Sequence, residues 1–126
     1  MITLIQREWS HEVARHLKRA CGSDMAIIAD DVMNGRAQLF EVQGHGYVVL
    51  RMENYVNDSQ LVIVAGEGRG LKEVMPLLIQ IGINSGANSI RLHTQRPGIE
   101  KMASAHGFKR DEIVMKKVLR HGQQIQ

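Results

Sequence analysis

Leu61-Val62-Ile63-Val64-Ala65-Gly66-Glu67-Gly68-Arg69-Gly70-Leu71 is the stretch on which the reading of this chain turns. Leu61 to Ala65 is an apolar run of strand length. Gly66 to Gly70 carries a glycine at every second position, and Leu71 to Ser85 has helical spacing. A strand entering a helix through Gly-x-Gly-x-Gly presents bare backbone N–H groups at the positive end of the helix dipole, a setting suited to phosphate. The same glycines also serve a tight turn with no ligand, so the motif alone leaves both readings open. Downstream come Gly86-Ala87, a second strand over Ser89 to Thr94, another helix, and Gly107-Phe108.

Upstream, Met1 to Gln6 reads as a short strand. Trp9, Val13, Leu17 and Ala20/Cys21 recur at helical spacing, with Ser10 as the cap. Gly22-Ser23-Asp24 interrupts, and Met25, Ile28, Ala29 and Val32 define a second helix that Asn34-Gly35 stops. Ala37 to Val42 and Tyr47 to Met52 are β-rich, and Gly44-His45-Gly46 between them reads as a hairpin turn. Asn54 to Ser59 is a polar turn. Pro76 falls inside the third helix, where it removes a backbone donor and predicts a kink or an irregular first turn. The expected order is β-α-α-β-β-β-α-β-α-β, an α/β fold in one domain over residues 1–120, with 121–126 as a frayed tail.

Composition narrows the function classes. The chain has 126 residues, 44% hydrophobic and 23% charged, which suits one soluble globular domain with a sizeable core. The formal net charge of +3 is far from the dense basic patch of a dedicated nucleic-acid binder, and aromatics at 4% leave few stacking platforms. A nucleic-acid reading has only the pI of 9.3 behind it. Cys21 is the sole cysteine, so no intrachain disulfide forms, and it reads as core. No apolar run approaches the ~20 residues of a membrane span, and no basic-then-apolar leader is visible. A cytoplasmic location and no membrane partner are expected. His11 and His16 fall on different faces of a helix, so no metal site is expected.

The element order, with Gly68 and Gly70 after the fourth strand and Gly107-Phe108 after the fourth helix, resembles the GNAT superfamily of acyl-CoA-dependent N-acyltransferases. Ser85-Gly86-Ala87-Asn88-Ser89-Ile90-Arg91-Leu92-His93-Thr94 is similar to the family's passage from third helix to fifth strand. Met102 to Phe108 is similar to the end of its fourth helix, and Asp111 to Leu119 to its closing strand. The short, divergent form resembles members familiar from phage genomes. The resemblance implies a mixed, splayed β-sheet flanked by helices, with acetyl-CoA or CoA as co-substrate. The fourth strand would pair with the pantetheine arm, and a Q/R-x-x-G-x-G/A loop would wrap the pyrophosphate. Val64, Ala65, Gly66, Gly68, Arg69, Gly70, Leu71 and Lys72 are the cofactor-binding residues so implied. The first loop position is filled by Ala65, and Arg69 or Lys72 could supply the missing counter-charge. Ala103 stands where the family often has a tyrosine acid, and Arg96 or Pro97 where it often has asparagine. Too few residues lie between Phe108 and Met115 for the family's full closing hairpin.

The function so implied is acyl-CoA binding, with N-acetyl transfer to an amine acceptor that the sequence does not identify. Attack needs a neutral amine and hence a proton acceptor. Glu53, at the end of the third strand on the expected acceptor side, and His93, at the end of the fifth strand, are the catalytic candidates. Glu41 and Glu67 are further carboxylates, and Glu67 is expected to point away from bound phosphate. The alternative is a GNAT-like module that has lost catalysis and serves a structural or interaction role. Many proteins of this fold pair, so a homodimer fits either reading.

Overall fold

A computed structural model describes residues 2–68, 71–94 and 96–120. The strands are β1 (Leu4–Arg7), β2 (Gln38–Val42), β3 (Gly46–Tyr55), β4 (Asp58–Gly68) and β5 (Ser89–Leu92). The helices are α1 (His11–Cys21), α2 (Met25–Met33), α3 (Leu71–Asn84) and α4 (Pro97–Ala105), with a 3₁₀ turn over Gly22–Asp24. The strands form one sheet in the order β1-β2-β3-β4-β5, antiparallel throughout except for the parallel β4–β5 pair. This is the mixed sheet with flanking helices that the sequence predicts, in the predicted order through α4.

Alternation along the strands feeds two apolar layers. Val49, Leu39 and Ala65 pack with Val13, Leu17 and Cys21 of α1 and Ile28 of α2. Val48, Leu50, Leu61 and Ile63 point the other way, onto Val74, Met75 and Leu78 of α3. Leu17 and Leu78 are fully buried, and removing each side chain from water contributes about 1.5–3 kcal/mol. Ser10 caps α1 as expected: its hydroxyl accepts from the Val13 N–H at 3.2 Å. Gly82 lets α3 approach β5 closely, since a Cβ there would sit 3.1 Å from the Ile90 side chain. Pro76 lies on the exposed side of α3, which continues through it to Asn84.

Three expectations need correction. β3 and β4 are longer than the sequence suggests. Gly66 and Gly68, read as turn, are strand residues, because the ladder with β3 continues to Gly46–Gly68. The closing strand expected over Asp111 to Leu119 does not form: residues 109–120 have no regular secondary structure and are exposed. Strand propensity selects an extended backbone, but a ladder also needs an edge within reach. Among the described residues no helix is long and apolar enough to cross a membrane.

Candidate functional site

Two irregularities distinguish the far end of β4. On the β3 side, Val49 pairs with Ala65 while Leu50 pairs with Ile63, leaving Val64 as an extra residue. Such a bulge bends a strand and sharpens its twist. On the other side, the pairing with β5 ends at Ile63–Leu92, yet β4 runs on to Gly68. From Val64 to Gly68 the β5-facing edge of β4 therefore has no strand partner among the described residues. Its backbone N–H and C=O groups are free to pair with an extended, amide-bearing ligand. Gly66 adds no side chain to this edge, and the strand ends where α3 begins, at Leu71.

The expected cofactor residues divide accordingly. Val64, Ala65, Gly66 and Gly68 lie on the free part of β4. Ala65 is buried against the α1 layer. Leu71 opens α3, and Lys72 is exposed in its first turn. Arg69 and Gly70 lie outside the described residues.

Across the mouth, His93 follows the last β4–β5 pair by one residue and is exposed. Arg96, at the N-cap of α4, brings its guanidinium within 3.7 Å of Glu67 Oε2 and so joins the far end of β4 to the start of α4. Glu67 pairs in register with Tyr47 and faces the α1 side of the sheet, the face opposite α3. There it shares a cavity of about 320 Å³ with His16, Glu41, His45 and Tyr47. The His16 and Tyr47 rings lie 5.4 Å apart, and Glu41 holds Arg7 at 3.0 Å. Burial, reinforced by Glu41 and Glu12, pushes the Tyr47 phenol above its ordinary pKa. Glu67 Oε2 is buried and has no hydrogen-bond partner among the described residues. No group of three or more metal-ligating side chains occurs among them.

Glu53 lies toward the other end of the sheet. It pairs with Gln60, eight residues before Gly68, or about 25 Å along the strand at ~3.3 Å per residue. Its carboxylate accepts from Tyr55 Oη at 2.5 Å, Arg51 at 2.7 Å and Arg91 at 2.8 Å. Arg91 also donates to Gln60 at 2.8 Å, and Arg51 reaches Asp31 at 3.6 Å. The Tyr55 hydroxyl first, and then the two arginines, hold the Glu53 carboxyl down to about 2, against the opposing effect of its burial. A carboxylate so stabilised is a poor proton acceptor near neutrality. These contacts tie Glu53 into the junction of β3, β4 and β5.

The sequence reading missed the Arg96–Glu67 bridge and the His16–Tyr47 cavity. The hairpin at Gly44-His45-Gly46 held a signal. Continuing its neighbour β3 against β4 places Tyr47 opposite Glu67, but only once the glycines after Ala65 are taken as strand.

No family model and no curated protein matches the chain. Solved structures do. The chain is similar to aminoglycoside N-acetyltransferase AAC(6')-Iy in complex with a CoA-S-monomethyl-acetylneamine bisubstrate analogue. That match has 18% identity, 95% coverage of this chain, 99% of that one and a TM-score of 0.65. It is similar to an acetyltransferase of Trypanosoma brucei at 17% identity, covering 94% and 100% of the two chains, with a TM-score of 0.67. It is similar to a transcriptional regulator of Bacillus halodurans at 14% identity, covering 94% and 100%, with a TM-score of 0.71. At these identities the likeness shows a shared fold and no more.

Proposed function

We propose that the protein binds acyl-CoA along the free edge of β4 and transfers its acetyl group to an amine. The observation that carries this reading is the early end of the β4–β5 ladder at Ile63–Leu92, with β4 continuing to Gly68 and on into α3. The amides of a pantetheine arm suit the unpaired backbone of Val64 to Gly68. The pyrophosphate suits Gly68-Arg69-Gly70 and the start of α3, with Arg69 and Lys72 as counter-charges. Support also comes from the similar aminoglycoside acetyltransferase, whose structure is a complex with a CoA-derived bisubstrate analogue.

Bound acyl-CoA supplies a thioester. The amine nitrogen attacks its carbonyl carbon, the C–S bond breaks, and one amine proton must leave. Glu67 replaces Glu53 as the proton acceptor in this proposal, because it lies at the cleft end of β4 and borders a cavity on the face opposite α3. Arg96 holds its carboxylate in place. The departing thiolate takes its proton from water, since α4 has no tyrosine at the position of buried Ala103. His93 remains a candidate at the β5 side of the mouth. The acceptor is an amine small enough to reach the thioester from the α1 side.

Ala65 and Ala103, both aliphatic and buried, favour the second reading, a module that keeps the fold without catalysis. Thermal unfolding with acetyl-CoA separates the two. Ligand at ~100 times its dissociation constant adds about 2.7 kcal/mol to the folded state. An unchanged transition at millimolar acetyl-CoA would remove the cofactor reading.

A further inference from the structure

Three neighbouring strands set Glu41, Tyr47 and Glu67 in one row. Glu41 of β2 pairs in register with Tyr47 of β3, and Tyr47 with Glu67 of β4. Residues opposite one another across an antiparallel pair point to the same face. All three project to the α1 side and line the cavity of about 320 Å³, where the His16 ring of α1 lies beside the phenol. Adjacent strands lie ~4.8 Å apart, so the two glutamates stand about 10 Å from one another at Cα.

The row runs carboxylate, aromatic ring, carboxylate. Each carboxylate has one ion-pair partner, Arg7 for Glu41 at 3.0 Å and Arg96 for Glu67 at 3.7 Å. Each also keeps an oxygen with no hydrogen bond among the described residues, and that of Glu67 is buried. A buried oxygen left unmet is costly, so a donor from a ligand stabilises it. Between the two, Tyr47 stays protonated: burial first, then Glu41 and Glu12, raise its pKa, and Arg7 only partly opposes them. The face of a neutral aromatic ring attracts cations and shelters methylene groups. A ligand that complements the row is charged at both ends and apolar in the middle. A monoamine meets one carboxylate only, and an amino acid brings a carboxylate into an acidic row. The cavity is at the small end of the range for small-molecule sites, which suits a short chain.

We propose that the acceptor is a linear diamine, with one ammonium group on Glu41, the other on Glu67 and the methylene spacer along Tyr47. This rests on the reading of Glu67 as the acceptor-side carboxylate. Two ammonium groups, each ~2.8 Å from its oxygen, span the row with a spacer of about four or five carbons. The nitrogen on Glu67 is nearer the free edge of β4 and is the one that reacts. Its ammonium gives one proton through Glu67 to water, and the neutral nitrogen bonds to the thioester carbon. The C–S bond breaks, the nitrogen loses its second proton by the same route, and the thiolate takes one from water. The new amide is uncharged and loses its hold on Glu67, so the monoacetylated diamine leaves.

Calorimetric titration of the full chain, without acetyl-CoA, compares tetramethylenediamine with butylamine, which has the same carbon chain and a single charge. The diamine is expected to bind about tenfold tighter, the effect of one charge-assisted contact. Ethylenediamine, too short to span the row, is expected to bind like butylamine. Glu41→Gln is expected to abolish the diamine's advantage, and Arg7→Ala, which frees Glu41, to raise it. Both variants break the Arg7–Glu41 pair, so a merely structural role for that pair would move them in the same direction. Circular dichroism checks that both fold. Arg7→Ala, whose side chain is 47% exposed in the parent, decides alone if Glu41→Gln does not. Equal affinity for tetramethylenediamine and butylamine overturns the proposal. So does an advantage that survives Glu41→Gln or fails to rise in Arg7→Ala. Added acetyl-CoA separates the diamine site from the transfer reaction. A Glu41-dependent advantage without acetylated product supports the site and counts against transfer. Butylamine acetylated as fast as the diamine supports transfer and overturns the diamine.

Discussion

The two ends of β4 are built in opposite ways. At Gln60 both edges are engaged: β3 pairs on one and β5 on the other. Glu53 accepts from Arg51, Arg91 and Tyr55 while Arg91 also donates to Gln60, with only Arg91 Nε left without a hydrogen-bond partner in this cluster among the described residues. At Val64 to Gly68 the strand keeps β3 but loses β5, and a buried oxygen of Glu67 lacks a hydrogen bond among the described residues. Polar groups that fold against each other stabilise the molecule. Polar groups left open in an ordered frame are free to meet a ligand. The contrast implies that substitutions at one end change stability and spare binding, and that those at the other end do the reverse.

The largest separation is expected from Gly66→Val. A branched side chain suits a strand, so the fold should hold, but it would crowd a ligand lying on the β4 edge. Loss of acetyl-CoA affinity by about a hundredfold, corresponding to ~2.7 kcal/mol, is expected in calorimetric titration with the unfolding transition little moved. Unchanged affinity would place any ligand elsewhere.

Glu53→Ala is the converse. It strands Arg51 and Arg91 without their shared carboxylate, at a cost of about 1–3 kcal/mol in denaturant unfolding, while acetyl-CoA affinity stays within about twofold. The pH dependence has a defined sign. The folded-state pKa of Glu53 is depressed to about 2 from 4.5, so its contribution is fully present above 4.5 and is lost as pH falls toward 2. In Glu53→Ala the stability profile should be flatter over that range. An equally steep profile would mean that Glu53 is not the group responsible.

Arg69→Ala is expected to cost roughly tenfold in acetyl-CoA affinity, and Lys72→Ala less, since an arginine offers a planar fork to phosphate oxygens. Equal, negligible effects would favour binding through backbone alone or no binding. The smallest effect belongs to Arg96→Ala. Arg96 is 38% exposed on its side chain, and a pair so open to water contributes at most about 1 kcal/mol to stability. If Glu67 is the proton acceptor that Arg96 positions, turnover should fall more than stability does. A fall in stability alone would assign the pair to structure.

The parts of this fold legible in the sequence are those set by local pattern. Ser10 before a helical stripe, Asn34-Gly35 after one, and Gly44-His45-Gly46 between β-rich runs each specify a local backbone with little help from the rest of the chain. What stayed hidden depends on distant partners. Glu53 looks like a free carboxylate until Arg91, far along the chain, is brought beside it by the parallel β4–β5 register. Gly66 and Gly68 look like turn residues until β3 is seen to extend alongside them. Ile113 to Leu119 looks like a strand, and its propensity is real, but the segment joins no ladder among the described residues. Of the site, the glycine stretch was readable as a sequence feature, although Gly66 and Gly68 belong to β4 and Arg69 and Gly70 lie outside the described residues. The length of the free β4 edge and the Arg96 bridge were not, because both follow from where the β5 ladder ends.

That free edge carries the whole account, and amide hydrogen exchange read peptide by peptide with and without saturating CoA tests it directly. The account predicts that CoA slows exchange in the peptides covering Val64 to Lys72 and leaves those covering Met52 to Gln60 unchanged. Slowing confined to any other part of the chain, or none at a CoA concentration in the millimolar range, would contradict it.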